Sequence, residues 1–364
     1  ERNRWAFTSH PDVAAFHHDL YRGIGRGRFW VMEQQPGPAN WAPWNPAPLP
    51  GMVRLWTWEA LAHGADVVSY FRWRQCPFAQ EQMHSGLNLP DRELSRGGQE
   101  AGRVGRELRD LALPAIQRAP VALVFDYEAA WITRLQPHGV DFRYGELVFR
   151  WYEAARRLGL DLDIIAPGTP LSGYRAVLVP TLPHVSEAAL AAFRDYAGPI
   201  LFGPRSGAKT STFHIPDALP PGPLQDLLPL RVTEVASLRP GLAPAVTGPL
   251  ISGRAERWRE WLTTDLPALA SFADGTPAFV QADARYYLAC WPDSDLLAAT
   301  LKHLLVRQAG LIATALPPHV RLRRRGDLNF AFNYGPDDWH VRGATEFVLG
   351  GVQLRAQDVA CWRS

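Results

Sequence analysis

Two short apolar runs constrain this chain more than any other feature. FWVM (29–32) ends at Glu33, and ADVVSYFRW (65–73) follows it. Each is continuous rather than alternating, as expected of a strand covered on both faces. Each is followed by a long polar or Pro-rich loop and then by a helical pattern, Gly51–His63 after the first and about Gly97–Leu113 after the second. Strand, loop, helix, strand, loop, helix implies parallel strands joined by helical crossovers. Two such units cannot close a barrel, and strands apolar on both faces need neighbours. Upstream, Val13, Phe16 and Leu20 give Pro11–Ile24 a helical apolar spacing. The charged opening at Glu1 runs straight into that helix, the expected appearance of a domain met part-way through.

Beyond residue 113 the pattern changes. Short apolar strands at Pro120–Phe125, Leu160–Ile165, Ala176–Val179 and Pro199–Phe202 alternate with helices at Tyr144–Leu158 and from Ser186, whose hydroxyl suits an N-cap. This predicts a flavodoxin-like, doubly wound parallel sheet over 114–312. A Pro/Gly-rich insertion, about Phe213–Gly248, interrupts it, and Tyr286–Trp291 and the helix Ser294–Ala309 complete it. Residues 313–364 carry short runs (320–322, 328–333, 347–349, 352–354, 358–362) between Gly, Asp and Pro turns, predicting a small antiparallel β domain.

Composition excludes several classes. Net charge is +2 in 364 residues, which argues against nucleic acid or an anionic membrane as partner. No apolar run reaches the roughly 18 residues of a bilayer span, and no signal peptide opens the chain. Cys76, Cys290 and Cys361 are too scattered for a disulfide framework or a zinc spacing. They read as small buried hydrophobes in a reducing, cytoplasmic protein. No metal is assigned, since adjacent His17 and His18 would diverge by about 100° on a helix.

The chemistry lies at the strand ends. A carboxylate placed just after a buried parallel strand sits where catalytic groups converge in a (β/α)8 barrel. Glu33 is so placed, and NWAPWNP (40–46) supplies flat indoles and amides suited to sugar rings and hydroxyls. In the next loop Glu81 and His84 lie three apart and would point the same way on a helical turn. GPRSGAKT (203–210) lacks P-loop spacing and reads as a turn. Cys290, inside YYLACW, reads as core rather than nucleophile. Arg321 and Arg323–Arg325 read as the exposed edge of a small sheet.

In combination, MEQ, NWAPWNP, GMVRLWTWEALAHGAD, FRWRQ and EQMH, with FGPRSGAKT and RLRRRG…FAFNYGP further on, resemble family 42 glycoside hydrolases, in the pattern of their Thermus-like β-galactosidases. The resemblance covers the whole chain. It implies that Glu33 is the nucleophile at the end of barrel strand seven. It implies that Trp41, Glu81 and His84 contact the sugar. Residues 1–113 would then be the last two βα units of a catalytic barrel, 114–312 a trimerisation domain and 313–364 a small β domain. The implied activity is retaining hydrolysis of terminal β-D-galactosides by a homotrimer without cofactor. The family's acid/base is a Glu following an Asn, and no Asn-Glu pair occurs here. The first six barrel strands and the zinc-site cysteines of some members are also missing. The 364 residues alone are therefore expected to be inactive. Two other readings are a non-catalytic oligomerisation piece and a carbohydrate-binding remnant using Trp41, Trp44, Glu81 and His84.

Overall fold

The computed structural model describes residues 3–363, so the reading of Glu1 lies outside the described residues. It is a mixed α/β structure in two compact units. One comprises the chain up to Gln117 together with Ala315 onward. The other is Arg118–Thr314.

In the first unit the order is α1 (Val13–Ile24), β1 (Phe29–Gln34), α2 (Met52–Ala62), β2 (Ala65–Tyr70) and α3 (Arg96–Glu107). β1 and β2 pair in parallel, with Val31 beside Val68. α2 is the crossover between them, and it is buried on two sides. Ala60 packs with Phe29 and Ala65 of the parallel pair. Met52, Leu55, Trp58 and Leu61 pack on Leu328, Phe330 and Phe332. A helix apolar nearly all round must be covered on more than one side. Gly51 precedes α2 with a left-handed φ of 95°, and a Cβ there would sit 2.2 Å from the Gln357 carbonyl oxygen. Glu107 of α3 accepts from Arg54 Nε at 3.0 Å and Trp58 Nε1 at 2.8 Å, fixing α3 to α2.

The strands covering the second side of α2 come from the chain's end. Val320–Arg325, Leu328–Asn333, Asp358–Arg363 and Glu346–Leu349 form an antiparallel sheet in that spatial order. The sequence separates these residues as a domain of their own; in space they share a core with α2 and α3. About fifty residues of sheet bury too little apolar surface alone, and α2 presents the face they need.

The basic run corrects the sequence reading. Arg321, Arg323 and Arg325 are buried, not exposed at an edge. Alternation along the strand puts all three on one face. Arg321 Nε and Nη2 reach the Asp12 carboxylate at 2.8 and 2.6 Å. Arg323 Nη1 stands 3.7 Å from Asp19 Oδ1, which His63 Nδ1 meets at 2.8 Å. Arg325 Nε donates to the Pro114 carbonyl at 2.7 Å. Only Arg324, on the opposite face, is exposed.

In the second unit, strands Leu162–Ile165, Val121–Val124, Ala176–Val179, Ile200–Phe202 and Arg285–Leu288 lie side by side in that order, all parallel. Numbered along the chain, the order is 2-1-3-4-5, that of flavodoxin-like sheets. Two further helices precede the second strand, α4 (Tyr127–Leu135) and α5 (Tyr144–Arg157). The pattern reading passed over α4, although Asp126 caps it by accepting from the Glu128 and Ala129 amides at 3.1 and 2.9 Å.

The sequence also missed an antiparallel extension of this sheet. Ser252–Thr264 is a 13-residue strand. It pairs with Leu230–Ser237, Ala245–Thr247 and Cys290–Pro292. Its sequence, SGRAERWREWLTT, mixes charge and aromatics and hides the two-residue period. Ala268–Phe272 and Pro277–Ala282 carry the ladder back to the parallel strands. The GPRSGAKT segment is a turn whose groups are already engaged. The Arg205 amide donates to buried Glu260 Oε1 at 2.8 Å, and Ser206 Oγ donates to the Gly203 carbonyl at 2.9 Å. Arg205 takes a φ of 64° and lies over the rings of Phe142 and Trp258 at 4.5 and 5.1 Å.

All three cysteines are free. Cys290 and Cys361 are buried as expected, and burial pushes the Cys361 thiol up to about 12. Cys76 is only partly buried, in a loop, where its thiol donates to the Phe78 carbonyl. Among the described residues no helix is long and apolar enough to cross a membrane.

Candidate functional site

The parallel pairing of β1 and β2 sends both following loops to the same end of the sheet. Glu33 is the penultimate residue of β1 and is exposed. Its Oε1 accepts from Gln35 Nε2 at 3.3 Å. The outer surface of the pair is apolar and uncovered, with Trp30, Met32 and Val67 all exposed.

The loop after β1 holds its indoles by a local device. Asn45 Oδ1 accepts from the Ala42 amide at 3.2 Å, and Asn45 Nδ2 donates back to the Ala42 carbonyl at 2.7 Å. This pair of hydrogen bonds closes a turn that an Asn side chain stabilises by imitating backbone. Trp41 and Trp44 project from it, 72% and 83% exposed.

The loop after β2 is anchored against the first. The Phe71 amide donates to the Gln34 carbonyl at 3.1 Å, and the Ser85 amide to the Pro38 carbonyl at 3.0 Å. The Phe71–Arg72 peptide is cis. Arg72 lies 4.8 Å over the Phe71 ring and reaches Glu81 Oε2 at 3.4 Å.

Glu81 and His84 do not face the same way. Glu81 is half-exposed beside Arg72. His84 is only 1% exposed. Its Nε2 stands 2.8 Å from Gln35 Oε1, its Nδ1 3.3 Å from Asn40 Oδ1, and its ring meets Phe71 edge-on at 4.9 Å. Glu33, Gln35, His84 and Asn40 therefore form one chain of side-chain contacts, while Glu81 joins Arg72 and Trp41 stands in solvent. Gln35, Asn40 and Arg72 were not singled out in the sequence. The signal for Gln35 was its place two residues past the carboxylate, which returns it to the same side of an extended chain.

A cavity of about 330 Å³ lies beside the first loop, lined by His10, His18, Gln34, Gln35, Trp44 and Asn45 among others; Glu33 does not line it. His18 stacks on Phe29 at 5.5 Å, and burial pushes its imidazole down to about 4 although Asp19 favours the charged form. Among the described residues no group of three or more His, Cys, Asp or Glu is arranged to hold a metal ion.

Comparison with known proteins places this arrangement. A β-galactosidase family model, that of glycoside hydrolase family 42, matches residues 1–111. A β-galactosidase trimerisation domain model matches residues 119–311. The β-galactosidase of Thermus thermophilus is 58% identical over the entire chain, which covers 56% of that protein. The β-galactosidase Bga of Halorubrum lacusprofundi is 39% identical over 90% of the chain and 50% of its own length. The crystal structure of β-galactosidase from the psychrophilic Marinomonas ef1 superposes with a TM-score of 0.96 at 44% identity, over 100% of this chain and 57% of that one. The chain thus spans about half the length of the relatives it matches. It belongs to the family 42 glycoside hydrolases, the β-galactosidases.

Proposed function

We propose that residues 1–113 supply the nucleophile side of a β-galactosidase active site, with Glu33 attacking the anomeric carbon of a terminal β-D-galactoside. The observation that carries this reading is the placement of Glu33. It is an exposed carboxylate at the end of a parallel strand, bonded by Gln35 and followed in the chain by a loop that carries two exposed indoles. In the retaining scheme a protonated partner about 5–5.5 Å away donates to the leaving oxygen as the galactosyl–enzyme ester forms. It then deprotonates the water that releases galactose. We assign that partner to polypeptide outside these 364 residues, so the isolated chain is inactive. The reaction is complete with two carboxyls and water and requires no cofactor.

Trp41 offers an indole face to the apolar side of the sugar, and Glu81 accepts from its hydroxyls. His84 shapes the same wall from behind, through Gln35 and Asn40. The exposed apolar face of β1 and β2 fits further strands of a (β/α)8 barrel, of which these are the last two. Residues 114–312 join three copies, an expectation supported by the matching trimerisation model. The free cysteines fit a cytoplasmic location.

The test uses the longer coding sequence, with the present numbering retained. Glu33→Gly should lower kcat for a β-galactoside by at least about a thousandfold. Azide should restore turnover and yield the α-galactosyl azide, since it enters from the face the carboxylate occupied. Unchanged turnover by Glu33→Gly, or turnover by the isolated chain, overturns the reading.

A further inference from the structure

In the second unit the loop 180–184 follows strand Ala176–Val179, and the turn 203–209 follows its parallel neighbour Ile200–Phe202. Both leave the carboxyl ends of their strands, the side on which open α/β sheets bind ligands. Backbone bonds hold them together. The Gly207 amide donates to the Leu182 carbonyl at 2.8 Å, and the Lys209 amide to the Pro183 carbonyl at 2.9 Å. A third segment closes on them. Arg205 Nη2 and Nη1 donate to the Gln136 and Pro137 carbonyls, both at 2.8 Å, which sets the guanidinium against the residues leading into His138.

Lys209 is the exception in this turn. It is 8% exposed, covered but just beneath the surface. Its ammonium makes no hydrogen bond or ion pair with the described residues. The carboxylates at this end of the sheet are committed elsewhere. Glu260 accepts from the Arg205 amide, Trp258 Nε1 and the Tyr287 hydroxyl. Glu128 meets His184 Nδ1 at 3.1 Å, and Asp126 caps α4. What lies near Lys209 is more positive charge. Burial and the Arg205 guanidinium hold its ammonium below the ordinary value. Burial, then Arg205 and Lys209, do the same to the His138 imidazole. Thr181 Oγ1, in the facing loop, is a second buried polar atom without a partner among the described residues.

A covered charge is normally paired, because leaving water is costly, and a covered polar group without a protein partner points to an ion or ligand. The residue type points the same way. Of 38 Lys and Arg side chains only two, Lys209 and Lys302, are lysines. An ammonium is a compact charge with three rotatable donors, suited to a tetrahedral oxyanion where a planar guanidinium fork is not required. We propose that Lys209, Arg205 and His138 form a binding site for a phosphate group, with the Lys209 ammonium as its anchor. Arg205 contributes charge and shape, since its Nη atoms are taken by carbonyls, and His138 stands at the exposed rim. Inorganic phosphate and the phosphate of a phosphorylated sugar present the same oxygens to this site. The site does not depend on the role of Glu33.

Having two lysines makes the test direct. The 364-residue chain is treated with acetic anhydride, with and without inorganic phosphate at constant ionic strength, and each lysine is followed by mass spectrometry. Saturating phosphate should slow acetylation of Lys209 at least about tenfold, while exposed Lys302 serves as the internal reference. By calorimetry Lys209→Met should bind phosphate at least about tenfold more weakly, and Lys302→Met should bind it unchanged. Thermal unfolding separates binding from folding. Without phosphate Lys209→Met should be at least as stable as the wild-type chain, because a covered, unpaired charge is gone; with phosphate it should gain less. A variant destabilised equally in both buffers makes Lys209 a structural cation and overturns the site. So does Lys209 acetylation that is unchanged at about 20 mM phosphate, where mass action reveals any millimolar site. Glucose 6-phosphate identifies the source: tighter binding than inorganic phosphate assigns the site to a phosphorylated sugar, and equal or weaker binding assigns it to the free ion.

Discussion

Gln35 Oε1 and His84 Nε2 stand 2.8 Å apart, joining the loop after β1 to the loop after β2. The same Gln35 amide donates to Glu33 from its other atom. A buried histidine is thereby linked through one neutral side chain to an exposed carboxylate, and the orientation of Glu33 depends on how the second loop is folded.

Removing Gln35 should loosen that link locally. Gln35→Ala leaves a ring that is 1% exposed without its 2.8 Å partner, at a cost of about 1–3 kcal/mol. The cost should appear as faster hydrogen exchange at the Ser85 amide, which bridges the loops through the Pro38 carbonyl. Amides inside α2 should keep their protection. Unchanged exchange at Ser85 would show that the loops are held together by other contacts.

His18 should make stability depend on pH in a defined window. Burial lowers its folded value to about 4 from the ordinary 6.5. The unfolded chain therefore takes up the proton first as pH falls. The contribution is fully present above about pH 6.5 and is lost progressively toward pH 4, about 3 kcal/mol in all. Asp19, next in sequence, titrates in a lower window. Its own burial would raise it, but Arg22, His63 and Arg323 outweigh burial and hold it well below the usual carboxylate value. Its share is present above about pH 4 and is lost below that. Urea midpoints between pH 7 and 4.5 should fall less for His18→Gln than for the wild-type chain. Parallel slopes would exclude His18 as the cause.

The Asp12–Arg321 pair should be costly to break from one side. Both side chains are essentially unexposed, 0% and 1%. Arg321→Met leaves a buried carboxylate without its guanidinium, a loss of about 3–5 kcal/mol. Adding Asp12→Asn should recover part of that loss, because the uncompensated charge is then gone. Urea denaturation of the two single variants and the double variant measures the coupling. Additive losses would mean that the pair does not act as a unit.

The strand-loop-helix order of the first 113 residues was legible because apolar runs and turn residues are local. So was the position of Glu33 at a strand end, and so were the short strands after residue 319. The Ser252–Thr264 strand was not legible, since its charged residues find partners far away in sequence. One is Arg150, whose Nη1 meets Glu256 Oε2 at 3.0 Å.

Local pattern determined the strands and helices of the first 113 residues, the parallel strands of the second unit and the short strands after residue 319, and motif resemblance determined the family. Only the tertiary structure decided which charges are buried. Arg321 and Arg323 look like a solvated edge until α1 brings Asp12 and Asp19 against them. Only the tertiary structure separated His84 from Glu81, because the loops dock through groups 44 and 49 residues from His84. It also decided that the last fifty residues share a core with α2. Periodicity shows that a face must be covered. It does not show by what, since burial is non-directional and its partner is set by the path of the whole chain.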